Sequence, residues 1–206
     1  LFAGAHKGSL HVSSDGGRSW QHRDNGLTKK DIYCLSFTNR QGGVKLYVGT
    51  DPAHLFESDD LGESWTEIPS LRDVPRVDKW FFPAPPKFGH VKNVAINSRE
   101  PNIVYACIEQ GGLLKTTDGG RSWQELQGFD DDVHRILISP SNSDRLFLST
   151  RMGILQSDDA GKTWDSLPMA STNIGYPDAL IVHPKQENVM FTAGAASRHA
   201  RRSRAT

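Results

Sequence analysis

Short apolar runs of three to six residues recur along the chain, and polar turns rich in glycine separate them. One complete set of runs covers 91–96, 103–107 and 113–115, and a further run continues from Trp123. Runs this short, rich in β-branched and aromatic residues, are typical of β-strands and too short for stable helices. Because similar sets precede and follow this one, the pattern predicts a series of four-stranded antiparallel units.

An octapeptide of the form Ser/Thr-x-Asp-x-Gly-x-Ser/Thr-Trp lies between the third and fourth run of each set. Its four copies cover 13–20, 58–65, 116–123 and 157–164. Successive copies are about 40 to 60 residues apart, which is the length of one propeller blade, with an insertion in the longest interval. The sequence therefore predicts an all-β fold, a β-propeller of four-stranded antiparallel blades that forms a partial ring of four to five blades.

Each position of the octapeptide has a structural role in a hairpin turn. The aspartate can accept hydrogen bonds from turn amides, the glycine suits a positive φ, and the tryptophan is expected to bury its indole against its own sheet. We weighed four catalytic aspartates as the alternative and favoured turn chemistry, because each aspartate sits in the same local turn. The structural positions are Asp15, Gly17, Trp20, Asp60, Gly62, Trp65, Asp118, Gly120, Trp123, Asp159, Gly161 and Trp164.

Aligning the sets divides residues 1–196 into blades. The first blade lacks its innermost strand and the last has only its first two strands, which gives seventeen strands. We therefore expect a fragment whose missing blades belong to the same protein. The basic tail 197–206 departs from the pattern, as either a native unstructured tail or a truncated gene end. The predicted segments are blades 1–27, 28–71, 90–128, 132–169 and 176–196, with an insertion at 72–90.

On these octapeptides the chain resembles the Asp-box, or BNR-repeat, β-propeller superfamily. That superfamily includes sialidases, family-74 xyloglucanases, sortilin-type receptors and photosystem II assembly factors. The resemblance extends from residue 1 to about 196 and is nearest to uncharacterised bacterial proteins described as glycosyl hydrolase-like. It implies the propeller fold and leaves function open, because the box occurs in enzymes and in non-enzymes.

Two departures from the enzymes of the superfamily bear on activity. Sialidases carry an Arg-Ile-Pro motif and a Tyr–Glu nucleophile pair, whereas this chain has no Arg-Ile-Pro, and Tyr33 and Tyr176 have no assignable glutamate. Xyloglucanases place two aspartates across a cleft between two propellers, and this chain holds less than one propeller. The resemblance therefore does not predict a complete catalytic site here.

Composition and charge limit the classes of partner and bound ion that are expected. Lys plus Arg and Asp plus Glu both total 24, so the net charge is zero and no nucleic-acid partner is expected. No apolar run reaches the length of a membrane span, and no export signal is visible, which leaves the compartment open with the cytoplasm as the expectation. Cys34 and Cys107 are expected as free thiols. His6 and His11 lack further ligands at suitable spacing, so no metal or cofactor is expected.

Ligands of propellers usually bind at the loops that enter each innermost strand and the loops between the second and third strands, opposite the boxes. We list the polar residues there as candidate contacts, with ordinary solvated loops as the alternative. Three of them are carboxylates that could serve a hydrolase. The candidate binding residues are His6, Lys7, Tyr33, His54, His90, Lys92, Gln110, His134 and Arg151, and the carboxylates are Asp51, Glu109 and Asp178.

The insertion 72–90 combines four aromatic residues, among them Trp80 and Phe82, with four prolines. Its rings either stack on a ligand as a lid, or plug the channel mouth or pack on a neighbouring blade, and the sequence leaves both roles open. The leading function is a non-catalytic module that binds a protein or a glycan on its loop face. The alternatives are a glycoside hydrolase, which needs two facing carboxylates, and an assembly factor that docks through Lys7, Lys92 and Arg151.

Overall fold

The computed structural model describes residues 1–40, 42–183 and 185–196. These residues form seventeen β-strands and two 3₁₀ helices, and the predicted basic tail 197–206 lies outside them. The 3₁₀ helices, Pro69–Arg72 and Val77–Lys79, both fall at or beside the predicted insertion. No helix in the described part of the chain is long and apolar enough to cross a membrane.

The strands form five antiparallel sheets of three, four, four, four and two strands, and each sheet is built from strands consecutive in sequence. This is the arrangement of propeller blades, so the predicted all-β propeller fold is confirmed. The first two sheets are β1 (Phe2–Ala5), β2 (Ser9–Val12), β3 (Gln21–His22), and β4 (Asp31–Arg40), β5 (Gly43–Asp51), β6 (Leu55–Ser58), β7 (Thr66–Glu67).

The remaining three sheets follow the same up-and-down order from the inner strand outwards. They are β8 (Val91–Ile96), β9 (Val104–Ile108), β10 (Gly112–Thr116), β11 (Gln124–Leu126); β12 (Val133–Ile138), β13 (Leu146–Thr150), β14 (Gly153–Ser157), β15 (Asp165–Ser166); and β16 (Tyr176–His183), β17 (Gln186–Ala195).

The inner strands β4, β8, β12 and β16 lie side by side along the channel. Polar side chains join neighbouring blades here: Ser36 donates to the carbonyl of Val94 at 2.7 Å, and the amide of Ile136 donates to Asn93 at 2.9 Å. The second strands β9 and β13 are buried along their whole length because a blade covers each of their faces. The hydrophobic core therefore lies between blades, and strand order alone places the loop face opposite the boxes.

The box turns have the predicted chemistry. In the second box, Ser58 donates to Asp60 at 2.7 Å and accepts from the amide of Gly62 at 2.9 Å, while Asp60 accepts from the amide of Ser64 at 3.0 Å. The glycine of each box has a φ between 83° and 92°, which a side chain would resist. The other three boxes repeat these bonds, so the four aspartates are held in structural turns.

The expectation that each box tryptophan buries against its own sheet is incomplete, because the buried indoles pack between their own sheet and the preceding blade. Trp65 is 4% exposed, lies in the core cluster of the first and second blades, and donates from Nε1 to the carbonyl of Arg23 at 2.8 Å. Trp164 packs edge-to-face on Phe129 with the ring centroids 5.3 Å apart. Trp20 belongs to the first blade, which has no preceding blade in this chain, and it is 43% exposed.

Trp65→Ala should lower the free energy of unfolding by about 3–5 kcal/mol, because it empties a buried indole site between two blades. Trp20→Ala is the matched control and should change it by no more than about 1 kcal/mol, since that indole is largely exposed. Guanidinium denaturation followed by circular dichroism measures both. Equal losses in the two variants would contradict packing on the preceding blade.

Hydrogen bonds from Ser64 and Ser58 lower the pKa of Asp60 to about 2. A carboxyl whose pKa falls on folding stabilises the protein above its unfolded pKa, near 4, and this stabilisation is lost as the pH falls towards 2. Asp60→Asn should therefore flatten the fall of the melting temperature between pH 4 and pH 2. Asp165→Asn, an exposed carboxylate outside the boxes, serves as the control and should keep the wild-type slope.

Candidate functional site

All four inner strands carry a β-bulge near their entrance. The register skips one residue between Ile32 and Cys34, and in the same way at equivalent places in β8, β12 and β16. A bulge leaves its extra residue outside the ladder and turns that side chain to a new direction. The four skipped residues are the candidates that the sequence placed at the inner-strand entrances: Tyr33, Lys92, His134 and Asp178.

These four side chains meet residues from the neighbouring loops and form one polar group at the channel mouth, which we call the mouth cluster. Its members lie at the edge of the blades opposite the Asp boxes, since each inner strand begins beside the end of the second strand. The mouth cluster consists of Tyr33, Asp51, His90, Lys92, Glu109, Asp132, His134, Tyr176 and Asp178.

Lys92 joins two of the three predicted carboxylates. Its Nζ lies 3.0 Å from Glu109 Oε1 and 3.0 Å from Asp178 Oδ1, so the two carboxylates are at most about 6 Å apart. Burial acts to raise the pKa of Glu109, but the hydrogen bond from His90 and the attraction of Lys92 outweigh it, and the pKa lies below its ordinary value. The ammonium therefore favours the ionised form of Glu109.

Aromatic rings cover the buried imidazole of His90. Its Nε2 lies 2.7 Å from Glu109 Oε2, the Tyr33 ring stacks 3.8 Å away between centroids, and the Phe82 ring lies edge-on at 5.0 Å. Burial, with the negative charge of Asp51, raises the pKa of Tyr33. The phenol therefore stays protonated at neutral pH and can donate a hydrogen bond at the cluster rim.

A second histidine–carboxylate pair lies on the neighbouring blade. His134 Nδ1 lies 2.6 Å from the carbonyl of Pro177, and Nε2 lies 3.0 Å from the Tyr176 hydroxyl and 3.4 Å from Asp132 Oδ1. Burial acts to raise the pKa of Asp132, but its interactions with His134 and Tyr176 outweigh burial and lower the pKa. Glu109, Asp132 and His134 each offer an atom with metal-ligand chemistry within 4.8 Å of the others.

Asp51 lies at the other side of the cluster, at the end of β5. It is 9% exposed, and its Oδ1 has no hydrogen-bond partner among the described residues. Burial raises its pKa above the ordinary value of an aspartate. His6, whose Nδ1 lies 2.6 Å from Asp31, packs edge-on against Tyr33 and extends this rim to the first blade. Asp51 is therefore the carboxylate here best suited to hold a proton.

A polar cleft of about 510 Å³ opens beside the cluster, between the insertion and the loops of the third and fourth blades. Arg76 pairs with Asp131, Arg151 pairs with Asp130 at 2.6 Å, and both ion pairs line the cleft. Both arginine side chains are 40% exposed, so their outer edges face the cleft. Phe81, at 43% exposure, adds an aromatic wall.

The insertion divides its aromatic residues between the two predicted roles. Trp80 packs on the core cluster between the second and third blades, against Gly89 and Gly111, and so has the packing role. Phe82 is half-buried on His90. Phe81 and Phe88 pair with each other in an isolated β-bridge and remain exposed, so these two rings are the ones available for stacking.

No protein-family model matches the chain. Vacuolar protein sorting/targeting protein 10 of Fusarium vanettenii is 25% identical over 122 residues, which cover 58% of this chain and 8% of that protein. The oligoxyloglucan-reducing end-specific xyloglucanase of Emericella nidulans is 19% identical over 161 residues, 71% of this chain and 18% of that protein. The chain thus spans less than a fifth of the curated relatives it matches.

Among solved structures, an ancestral GH74 enzyme superposes with a TM-score of 0.71 at 16% identity, over 93% of this chain and 25% of that one. This chain is a partial β-propeller. At such identity the likeness establishes the fold of the partial propeller and leaves its chemistry to the residues of the mouth cluster.

The partial propeller brings together most of the residues that the sequence singled out. The side chains of Tyr33, Asp51, Glu109 and Asp178 join the mouth cluster with His90, Lys92 and His134, and His6 lies at its rim. Others lie elsewhere: Lys7 is exposed, His54 pairs with Glu67 at 2.6 Å, and Gln110 and Arg151 line the polar cleft.

Sequence reasoning missed Asp132 as a member of the cluster and left Tyr176 without an acidic partner. The Tyr176 hydroxyl lies 3.3 Å from Asp132 Oδ2, although these residues are far apart in the chain. Aligning the blades offers one signal, because Asp132 stands two residues before His134, as His90 stands two residues before Lys92. The residue two positions before each bulged residue is therefore an equally good candidate for the mouth cluster.

Lys92→Met should lower the free energy of unfolding of the partial propeller by about 2 kcal/mol, because it leaves the buried Glu109 carboxylate without its ammonium partner. Lys79→Met is the control: its ammonium pairs with Asp78, and both side chains are more than half exposed, so little change is expected. Urea denaturation at pH 7 measures both variants. An unchanged stability in Lys92→Met would show that the ion pair is not formed in solution.

Proposed function

We propose that the chain is a non-catalytic propeller module that binds a protein or glycan partner on its loop face. The single observation that carries this proposal is the position of Lys92 between Glu109 and Asp178, 3.0 Å from each. A hydrolase needs one of its two carboxyls protonated as an acid, and an ammonium shared by both favours the ionised form of each. The pair therefore suits hydrogen bonding to a ligand better than proton transfer.

The binding surface of this proposal is the polar cleft together with the exposed rings of Phe81 and Phe88. Guanidinium groups held by carboxylates, such as Arg76 on Asp131 and Arg151 on Asp130, present fixed donors and acceptors to hydroxyl and amide groups. Aromatic faces beside them stack on sugar rings or on apolar side chains. This combination fits a glycan or a polar protein segment, and it leaves the mouth cluster as the floor of the site.

Glycoside hydrolysis is the second candidate, and one distance favours it. Glu109 and Asp178 are at most about 6 Å apart, which reaches the separation used by retaining glycosidases. Asp51, whose raised pKa suits a proton donor, lies in the same cluster. Two of the similar proteins carry the names of xyloglucan-degrading enzymes, and the chain spans only a small part of each.

Arg151→Ala and Phe81→Ala should each weaken binding to a glycan array or to an immobilised partner about tenfold or more, without lowering the melting temperature, because both side chains are partly exposed at the cleft. Trp80→Ala is the contrasting variant and should lower the melting temperature, since Trp80 packs on the core. Binding that is unaffected by both cleft variants would place the ligand elsewhere on the chain.

Activity separates the two candidates directly. A screen of chromogenic glycosides and xyloglucan oligosaccharides with this chain, and with the longest natural form that contains it, should show no turnover above background. Turnover that disappears in Glu109→Gln or Asp178→Asn would establish the hydrolase and reject the binding module. Arg99→Gln, at the opposite end of the third blade, is the control.

A further inference from the structure

Three buried side chains of the mouth cluster form a compact donor set. Glu109 follows β9, Asp132 precedes β12, and His134 is the bulged residue of β12. One ligand-type atom from each lies within 4.8 Å of the other two, and the three residues are between 1% and 6% exposed. Two carboxylates and an imidazole at this separation can close around one ion of about 2 Å bond length.

The hydrogen bond on the far side of His134 sets its orientation. A carbonyl oxygen only accepts, so Nδ1 carries the proton that it donates to Pro177 at 2.6 Å. Nε2 is then the ring nitrogen left to bind a metal ion, and it faces Asp132 and Tyr176. A backbone carbonyl that fixes the tautomer in this way is the usual support of a metal-binding histidine.

Asp132 supplies a second and independent observation. Its Oδ1 is buried and makes no hydrogen bond among the described residues, although it lies 3.4 Å from His134 Nε2. Asp132 Oδ1 and His134 Nε2 thus face each other across a gap that a positive charge would fill. That charge is either a proton on Nε2 or a bound cation.

We propose that Glu109, Asp132 and His134 form a binding site for a divalent transition metal ion, of which Zn²⁺ is the representative. One imidazole nitrogen with two carboxylate oxygens suits Zn²⁺ or Mn²⁺ better than Mg²⁺ or Ca²⁺, which bind through oxygen alone. Three protein ligands leave a fourth position for water or for a ligand group. The Tyr176 hydroxyl, 3.0 Å from His134 Nε2, stands beside this site.

Lys92 acts as the internal competitor of the metal. In its present position the ammonium neutralises Glu109, which a metal ion would also need. Lys92 keeps a second counterion at the same distance, Asp178, so it can leave Glu109 without losing all compensation. Metal binding thus replaces the ammonium of Lys92 at Glu109 with the metal ion. The measured metal affinity therefore reflects the difference between the interaction free energies of Glu109 with these two cations.

Calorimetric titration of Zn²⁺ into the full chain, after removal of metal with a chelator, tests this site. One equivalent should bind and raise the melting temperature. Asp132→Asn and His134→Gln should each weaken binding about 100-fold, and Lys92→Met should strengthen it about tenfold. His22→Gln is the matched control, because it removes one ring of the His11 and His22 pair, which lies outside the mouth cluster and whose centroids are 4.2 Å apart.

Unchanged affinity in Asp132→Asn would overturn the proposal, as would loss of binding in His22→Gln or weaker binding in Lys92→Met. Absence of any Zn²⁺, Co²⁺ or Mn²⁺ binding would overturn it as well. Where His134→Gln fails to fold, the ¹⁵N shift of His134 Nε2 replaces it. That shift should move on addition of Zn²⁺ in the wild-type chain and stay fixed in Asp132→Asn, and an unmoved wild-type shift rejects coordination.

Discussion

The contact of three box tryptophans, Trp65, Trp123 and Trp164, with the preceding blade is the interaction on which the rest of the structure depends. The fourth strands have only two or three residues and cannot hold a sheet edge in place by their ladder alone. The indole of Trp65, buried beside Leu10 and Phe56, ties that edge to its neighbour. Hydrophobic burial therefore accumulates between blades, and no single blade forms a core of its own.

The two ends of the blades have different roles. At the box end the same hydrogen bonds recur four times, because every turn must meet the same geometric demand. At the mouth the backbone also repeats, through equivalent bulges, but the bulged side chains are a phenol, an ammonium, an imidazole and a carboxylate. A constant scaffold thus presents a different chemical group from each blade, as a specific binding site requires.

The sequence predicts the blades well because strands and box turns are local and repeated: the glycine at 62 needs its positive φ whichever blade is its neighbour. The indole of Trp20 is harder to place, since its burial depends on a blade that this chain does not contain. The entrances of the inner strands were found by aligning blades, which selected Lys92, His134 and Asp178. The composition of the inner strands does not reveal their bulges. The contact of Tyr176 with Asp132 joins the entrances of two strands, and only the ring geometry brings these close together.

The contacts of the indoles with the preceding blade also give the packing of the blades an order along the chain. Trp65, Trp123 and Trp164 each settle on a blade that lies nearer the amino terminus. During synthesis the support for each new blade is therefore already outside the ribosome when its tryptophan emerges. Each new blade can therefore pack on a blade that has already been synthesised, and its packing does not depend on the blade that follows.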